Sequence, residues 1–239
     1  MIVLGIDTSG YANAVGVVDD DRVLAEATFT AKTDSLEQIV DNIESVLKRA
    51  GLTLDLVQGI GVGLGPGSWT GIRVGVTVGK MLAFSTGKPV CGVPTLETLA
   101  YGLRHESGLI CAVISAGIKD AVYAALYRPG GGAVKQSGDY YTGDIRGLAA
   151  LIHEPVLLTG EGAPEHAREI AAQTGSSNMI VRAVSATPSG AAVASLAAKR
   201  LARGESDDAL SLTPLYLKES TARAFTGKYT RETKQGGAL

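Results

Sequence analysis

The sequence predicts a duplicated α/β architecture, in which two halves repeat one order of strands and helices. Each half opens with three short apolar runs separated by turn residues and then alternates helix and strand patterns, which is typical of α/β domains. The second half follows the layout of the first. The matching runs are 2–6 with 109–114, 14–18 with 121–127, and 23–28 with 133–141. With 239 residues, the chain is long enough for two such halves.

The first half begins as a three-stranded antiparallel meander, with turns at 7–10 and 19–21. A helix follows, because apolar residues keep the i, i+3, i+4, i+7 spacing. Ser35 and Gln38 form a capping box at its start, and Gly51 ends it. Its apolar positions are 36, 39, 40, 43, 46, 47 and 50.

A glycine-rich segment comes next, with 8 glycines among the 21 residues from Gly59 to Gly79. It predicts a strand at 59–64, a turn at Gly65-Pro66-Gly67, and a helix that starts at Ser68 or Thr70 and ends near Ser85. Since Gly71, Gly75 and Gly79 leave one helix face without side chains, we expect that face to pack closely against another backbone. A strand at 89–93 and a helix at 95–104 complete this half.

After its three apolar runs, the second half alternates helices and strands again. We expect helices at 145–153, 164–174 and 189–203, and strands at 156–159 and 179–184. The predicted units are therefore 1–104 and 105–204, followed by a C-terminal segment at 205–239. The last helix, 189–203, is the element that can pack back on the first half.

The composition argues against nucleic-acid binding by this chain alone, because it contains 22 Lys and Arg and 24 Asp and Glu, which gives a formal net charge of −2. Only the segment after Leu215 is basic, with Lys218, Arg223, Lys228, Arg231 and Lys234 against Glu219 and Glu232. A solvated tail is favoured there over an RNA contact. Cys91 and Cys111 lie in apolar runs and are interpreted as buried hydrophobes in a reducing compartment. The absence of a signal peptide and of a long apolar run predicts a cytoplasmic protein without a membrane partner.

The glycine-rich segment fits neither GxGxxG nor the P-loop pattern, because Gly79-Lys80 is followed by Met81. Histidines 105, 153 and 166 show no i, i+4 pair, so no metal site and no catalytic residue are predicted. Asp7-Thr8-Ser9 at the end of the first strand could instead address a metal-bound phosphate. That chemistry needs a second acid, and the equivalent turn holds Ser115-Ala116-Gly117. Asp7 as the cap of its own turn is at least as good an interpretation.

Three motifs in order resemble the TsaB (YeaZ) family: Asp7-Thr8-Ser9, the block from Gly65 to Gly75 (GPGSWTGIRVG), and Gly92-Val-Pro-Thr-Leu-Glu97. The block is the specific part, and the resemblance is clearest over 1–104. In the second half it extends by layout to Gly160-Glu161-Gly162 and Pro214-Leu215-Tyr216-Leu217. It implies an actin-like ATPase (ASKHA) fold of two ribonuclease-H-like lobes, each with a mixed sheet and flanking helices.

The resemblance also implies a role. Family members look like degenerate paralogues of the catalytic subunit TsaD, which holds a metal through a helical histidine pair and makes threonylcarbamoyladenosine next to the tRNA anticodon. This chain would be a non-catalytic scaffold that forms a heterodimer with TsaD, while ATP and metal belong to partner subunits such as the ATPase TsaE. The chain departs from the family at Trp69, usually Phe, at Asp34, usually His, and at Ser115-Ala116-Gly117, usually an Asp-Ala-Arg turn.

If the family resemblance holds, the helices 35–50 and 70–85 are the candidate partner surface. We expect the apolar face of the first helix, in particular Ile39, Ile43 and Val46, to be divided between sheet and partner. The predicted interface residues are Leu36, Ile39, Val40, Ile43, Leu47, Arg73, Val76 and Lys80. The predicted structural motif is Gly65, Pro66, Gly67, Ser68, Thr70, Gly71, Gly75 and Gly79. Asp7, Thr8 and Ser9 are the vestigial phosphate loop.

Two other functions stay open: a small-molecule kinase of the same fold, which Asp7 favours and the missing second acid disfavours, and a glycoprotease-like peptidase, which would need a nucleophile or metal site. The sequence also leaves open whether the isolated chain is a monomer or a homodimer and whether tRNA contacts its tail or only its partners.

Overall fold

The computed structural model describes residues 1–30, 35–117, 121–174 and 180–217. Within these ranges the first half consists of five strands, three α-helices and a short 3-10 helix at Leu54–Leu56. The strands are β1 (Ile2–Asp7), β2 (Ala12–Asp19), β3 (Arg22–Thr30), β4 (Gly59–Gly63) and β5 (Val90–Val93). The helices are α1 (Ser35–Arg49), α2 (Trp69–Thr86) and α3 (Thr95–Tyr101).

The described part of the second half repeats this order. Its strands are β6 (Leu109–Ser115), β7 (Ala121–Gly130), β8 (Ala133–Gln136), β9 (Tyr141–Asp144), β10 (Val156–Gly160) and β11 (Ile180–Ser185). Its helices are α4 (Ile145–Ala149), α5 (Ala163–Thr174) and α6 (Gly190–Ala202).

The two sheets have equivalent topologies. The first has the order β3-β2-β1-β4-β5, antiparallel along the meander and parallel from β1 to β5. The second has the order β11-β10-β6-β7-β8, with the corresponding pairs parallel and antiparallel in the same way. The predicted duplicated α/β class is therefore confirmed.

One predicted strand is wrong in its extent. The run 133–141 is two short strands, because the backbone turns at Gly138, whose φ is +86°. β8 pairs with residues 127–130 of β7, and β9 pairs with residues 121–124 of the same strand. Both lie on the edge of β7 opposite β6, so together they take the place that β3 holds in the first sheet. α3 is also shorter than predicted and is followed by Gly102.

The helices form three layers around the two sheets. α1 and α2 cover the outer face of the first sheet, and α4 and α5 cover the outer face of the second. In the middle layer, each helix packs on the sheet of the other half. α6, from the second half, packs across β1, β2, β4 and β5. α3, from the first half, packs on the second sheet through Leu96, Leu99 and Ala100.

The close approach of α6 to β1 and β2 depends on glycine. A Cβ atom at Gly5 would lie 2.1 Å from the Gly190 carbonyl oxygen, and one at Gly16 would lie 2.3 Å from the Ala191 nitrogen. These distances are too short for real contacts, so at these two points the backbones can approach only because side chains are missing. The start of α6 is fixed by Glu26 of β3, whose Oε1 accepts from the Ser189 hydroxyl at 2.6 Å and the Ala191 amide at 3.1 Å.

Among the described residues, no helix combines the length and the apolar character needed to cross a bilayer.

Candidate functional site

The carboxyl end of β1 brings Asp7, Thr8 and Ser9 into the interior, between the start of α2 and the start of α3. Asp7 is fully buried. Its Oδ1 accepts from the Ser9 amide at 2.8 Å and the Ser9 hydroxyl at 2.5 Å, and the Thr95 hydroxyl donates to Oδ2 at 3.2 Å. The carboxylate thus closes its own turn and ties it to α3.

Burial raises the pKa of the Asp7 carboxyl above its usual range, while the hydrogen bonds from Ser9 and Thr95 oppose that rise. The space beside Oδ2 is taken by β4, since a Cβ at Gly63 would lie 2.3 Å from that oxygen. In this structure the carboxylate is therefore surrounded by the chain itself.

The loop that faces this turn from the second half holds Ser115-Ala116-Gly117. The Gly117 amide donates to the Ser115 hydroxyl at 3.2 Å, and the three residues carry no acid. An acid does reach the same cleft from another loop: Glu161, which follows β10 directly. The sequence named Glu161 only within the family layout at Gly160-Glu161-Gly162 and gave it no role, although its position directly after a parallel strand was the available signal.

A cleft of about 540 Å³ lies between the halves at these loops. The first half contributes Ser9, Tyr11, Trp69 and Thr95, and the second half contributes Tyr123 and Glu161 among others.

The glycine face of α2 lies on the Asp7-Thr8-Ser9 turn and on β4. Ser68 is the N-cap of α2, its hydroxyl accepting from the Gly71 amide at 3.2 Å. A Cβ at Gly71 would lie 2.1 Å from the Thr8 carbonyl oxygen, and one at Gly75 would lie 2.2 Å from the Thr8 hydroxyl. A Cβ at Gly79 would lie 2.2 Å from the Cγ2 atom of Val62 in β4, so this glycine also allows a close approach. The Thr8 hydroxyl donates to the Gly71 carbonyl at 2.6 Å, so the turn and the helix are joined.

The turn before α2 is tied to its neighbours through its backbone. Gly65-Pro66 is a cis peptide bond, the Thr95 amide donates to the Gly65 carbonyl at 2.8 Å, and the Ser68 amide donates to the Ser9 carbonyl at 2.7 Å. Gly67 is required, because a Cβ there would lie 2.2 Å from the Ser9 carbonyl oxygen. Thr70 is exposed on the first turn of α2.

The apolar face of α1 lies on the first sheet rather than being divided. Ile39, Ile43, Val46 and Leu47 are buried among β-strand residues such as Leu4, Val15 and Val17. The reason is that α1 packs on β2 and β3 through these four side chains. Val40, by contrast, is 54% exposed. The Leu36 side chain lies outside the described residues.

One edge of α2 is covered by the chain's own C-terminal segment. Val76 is buried in a cluster with Leu212. The Lys80 ammonium donates to the carbonyls of Leu210 at 3.1 Å and Leu212 at 2.8 Å. Arg73 remains exposed, its guanidinium 4.2 Å from the Trp69 ring and its Nε donating to the Tyr216 hydroxyl at 3.0 Å.

The outer face of α2 carries two apolar side chains that the sequence reasoning did not select. Met81 is 61% exposed and Phe84 is 67% exposed. They could have been found by placing Gly75 and Gly79 inward, since positions 77, 81 and 84 then fall on the opposite side of the helix. α1 and α2 are in contact on the outer side of the first sheet, and Val40 is an exposed apolar side chain of α1.

Within the described ranges, no three His, Cys, Asp or Glu side chains are grouped so that they could hold a metal ion. Cys91 and Cys111 are buried thiols without a disulfide, and burial raises the pKa of Cys111 to about 12. The basic residues from Lys218 onward lie outside the described residues.

Comparison with known proteins agrees with this geometry. The family model described as "TsaD: tRNA N6-adenosine threonylcarbamoyltransferase" matches residues 23–225. The tRNA threonylcarbamoyladenosine biosynthesis protein TsaB of Bacillus subtilis is 31% identical over 227 residues, covering 94% of this chain and 97% of that protein. The chain belongs to the TsaB family.

Solved structures agree with the TsaB assignment. A Pseudomonas aeruginosa protein described as similar to peptidase YeaZ superposes with a TM-score of 0.78 at 26% identity, covering 91% of this chain and 99% of that one. The ROK hexokinase of Thermus thermophilus superposes with a TM-score of 0.51 at 15% identity, covering 85% and 100%, and so shares the fold alone. The predicted ASKHA-like fold is thereby confirmed. Membership in the TsaB family supports a role in tRNA threonylcarbamoyladenosine biosynthesis.

Proposed function

We propose that this chain is a non-catalytic subunit that binds TsaD and keeps it competent to transfer the threonylcarbamoyl group to tRNA adenosine next to the anticodon. The observation that carries the proposal is the outer surface of α1 and α2, where Val40, Met81 and Phe84 expose apolar area. Adjacent exposed apolar side chains on a folded domain are typical of a protein contact surface.

The enclosed Asp7 supports the non-catalytic part of the proposal. An acid that is to hold a metal-bound phosphate needs free carboxylate oxygens. Both oxygens of Asp7 accept hydrogen bonds from the chain itself, and the facing Ser115 loop carries no acid. In this proposal, ATP and metal belong to the partner subunits, TsaE joins through the complex, and tRNA contacts the complex through TsaD or through the basic segment after Leu215.

Co-purification with TsaD from the same organism tests the contact surface. We expect Met81→Glu combined with Phe84→Glu to abolish co-purification, because two charges would be placed in an apolar contact. An aspartate at Ile43 would be a poorer test, since that side chain is buried and its loss would unfold the domain.

Leu151→Glu is the matched control, because Leu151 is 48% exposed and lies in the second half. This variant should retain TsaD. Retention of TsaD by a folded Met81→Glu, Phe84→Glu variant would contradict the proposed surface. If the isolated chain is a homodimer through the same surface, the double variant should be a monomer.

The alternative function is a small-molecule kinase of the ASKHA fold, and the cleft at the carboxyl ends of the strands is the observation that favours it. Calorimetric titration of the isolated chain with Mg-ATP separates the two functions. Micromolar binding would favour the kinase, and no binding would favour the scaffold. A glycoprotease-like activity finds no support in the described cleft, which presents no paired nucleophile and base.

A further inference from the structure

We propose that the cleft between the two halves is a binding site for a small organic cation that carries no phosphate. This site goes beyond the proposed contact with TsaD, since the cleft and the outer face of α1 and α2 are different surfaces.

The cleft lies where α/β folds usually bind ligands. Its walls are the loops that follow the carboxyl ends of β1, β4, β5, β6, β10 and β11. Ligands of open α/β sheets bind at these strand ends, because the loops there converge from both sides. At about 540 Å³, the cleft has the size of a small-molecule site.

The charge of the cleft selects against phosphate. Glu161 is the one acidic or basic side chain among the described lining residues. It is exposed, and its carboxylate makes no ion pair with any residue in the described ranges. A phosphate without a metal would meet this carboxylate with no Lys or Arg among the described lining residues, and like charges repel. A metal-bound phosphate would find one free acid instead of two, because Asp7 is enclosed.

The start of α2 offers an anion only part of its amides. The Ser68 amide donates to the Ser9 carbonyl, and the Gly71 amide donates to the Ser68 hydroxyl. Two of the amides that could have bound an anion are therefore already used by the chain.

The aromatic side chains of the cleft favour a cation instead. Tyr11, Trp69 and Tyr123 line it, three of the 12 aromatic residues of the whole chain. Tyr11 is 73% exposed, so its ring is accessible. Trp69 is 41% exposed, but the Arg73 guanidinium lies 4.2 Å from its ring and the Tyr216 ring lies 4.4 Å away, so a bound cation would contact Tyr11 and the edge of Trp69 that remains open. An aromatic face attracts an ammonium or guanidinium group, and a carboxylate beside it adds a charge-assisted hydrogen bond.

Trp69 is the single tryptophan of the chain, so its fluorescence reports on the cleft directly. The test titrates the full chain with benzylammonium at constant ionic strength, and with benzoate and Mg-ATP for comparison. We expect a saturable change of Trp69 emission with benzylammonium, with a dissociation constant on the order of millimolar for so small a probe. Benzoate and Mg-ATP should give no saturable change.

Glu161→Gln should weaken benzylammonium binding at least fivefold, and Glu44→Gln, at an exposed site on α1, should leave it unchanged. Thermal unfolding of both variants checks that they are folded. Unchanged affinity in folded Glu161→Gln, no saturable response to benzylammonium, or binding of Mg-ATP at least as tight as that of benzylammonium would each overturn the proposal.

Discussion

Thr8 fits beside α2 only because Gly71 and Gly75 lack side chains. Its carbonyl oxygen would lie 2.1 Å from a Cβ at position 71, and its hydroxyl would lie 2.2 Å from one at position 75. Thr8 is also held from both sides, since it is buried and donates to the Gly71 carbonyl. The turn after β1 therefore has little room to move away from a larger side chain.

Gly75→Val should destabilise the fold by about 1–3 kcal/mol, because the added atoms overpack a filled space. Gly130→Val is the matched control, since a Cβ at Gly130 meets nothing within 4 Å. Chemical denaturation of both variants measures the two changes. Equal stability of the two variants would contradict the close approach of α2 to Thr8.

Asp7 predicts a dependence of stability on pH. Because burial raises its pKa in the folded state, the unfolded chain releases this proton first as pH rises. The contribution of Asp7 is fully present below the ordinary value of 3.8 and is lost as pH rises through the raised folded value. Asp7→Asn does not titrate, so its stability relative to the natural chain should increase from pH 4 to pH 7. Thermal unfolding at a series of pH values checks this, and a constant difference between the two proteins would contradict it.

At the scale of elements, the C-terminal segment 205–217 acts as a cover for α2 and β5. The Asp207 carboxylate accepts from the Gly92 amide at 2.7 Å, and the Leu215 amide donates to the Leu64 carbonyl at 2.8 Å. Lys80 holds the middle of the segment through two carbonyls. This cover explains why Val76 contacts the chain itself rather than solvent.

Lys80→Met should loosen this cover, since it removes two hydrogen bonds to partly exposed carbonyls and costs about 1–2 kcal/mol. The expected result is faster hydrogen exchange of the Leu215 amide, measured in the folded protein. Lys48→Met on α1 is the control, because Lys48 is exposed and its side chain makes no hydrogen bond or ion pair in the described ranges. Unchanged exchange at Leu215 in Lys80→Met would mean that the segment is held by Leu212 and Asp207 alone.

The elements also show why an apolar stripe does not identify a partner surface. The apolar stripe of α1, formed by Ile39, Ile43 and Leu47, is buried against the first sheet. The exposed apolar residues of α2, Met81 and Phe84, lie instead on the face away from its glycines. The sheet beneath the helix determines which helix face is buried and which is exposed to a partner, and the periodicity of the sequence alone does not supply that information.

At the scale of the whole molecule, the two halves are joined by the exchanged middle layer. α6 belongs to the second half in sequence, yet it covers Val3, Val18, Cys91 and Val93 of the first sheet. Ion pairs hold it in place: Arg200 with Glu97 of α3 at 2.5 Å, and Lys199 with Asp21 at 3.0 Å.

A fragment of residues 1–104 should therefore fail to fold cooperatively, because one face of its sheet would lose its cover. Burial of that apolar face is a large part of the stability of such a sheet. Thermal unfolding monitored by circular dichroism tests this, with residues 1–217 as the control that keeps α6. A sharp transition in a monomeric 1–104 fragment would contradict it.

The order of strands and helices apart from the division of 133–141 into β8 and β9, the break of the glycine-rich segment at Gly65-Pro66-Gly67, and the duplication were accessible from the sequence. Each is a local property, since periodicity, capping residues and turn residues act over a few positions. The family motif around Trp69 was equally readable, and it pointed to the fold that the solved relatives share.

Tertiary structure alone decided what these elements contact. The sequence offered packing of the last helix on the first half as an option, and the structure shows that α6 packs there, across β1, β2, β4 and β5. The sequence does not tell that Asp7 is enclosed by Ser9 and Thr95 or that Glu161 reaches the cleft. These facts join residues far apart in the chain, and they depend on which face of each element is buried. The sequence by itself thus determined the architecture and the family, while the surfaces available to a partner or a ligand were settled by long-range packing.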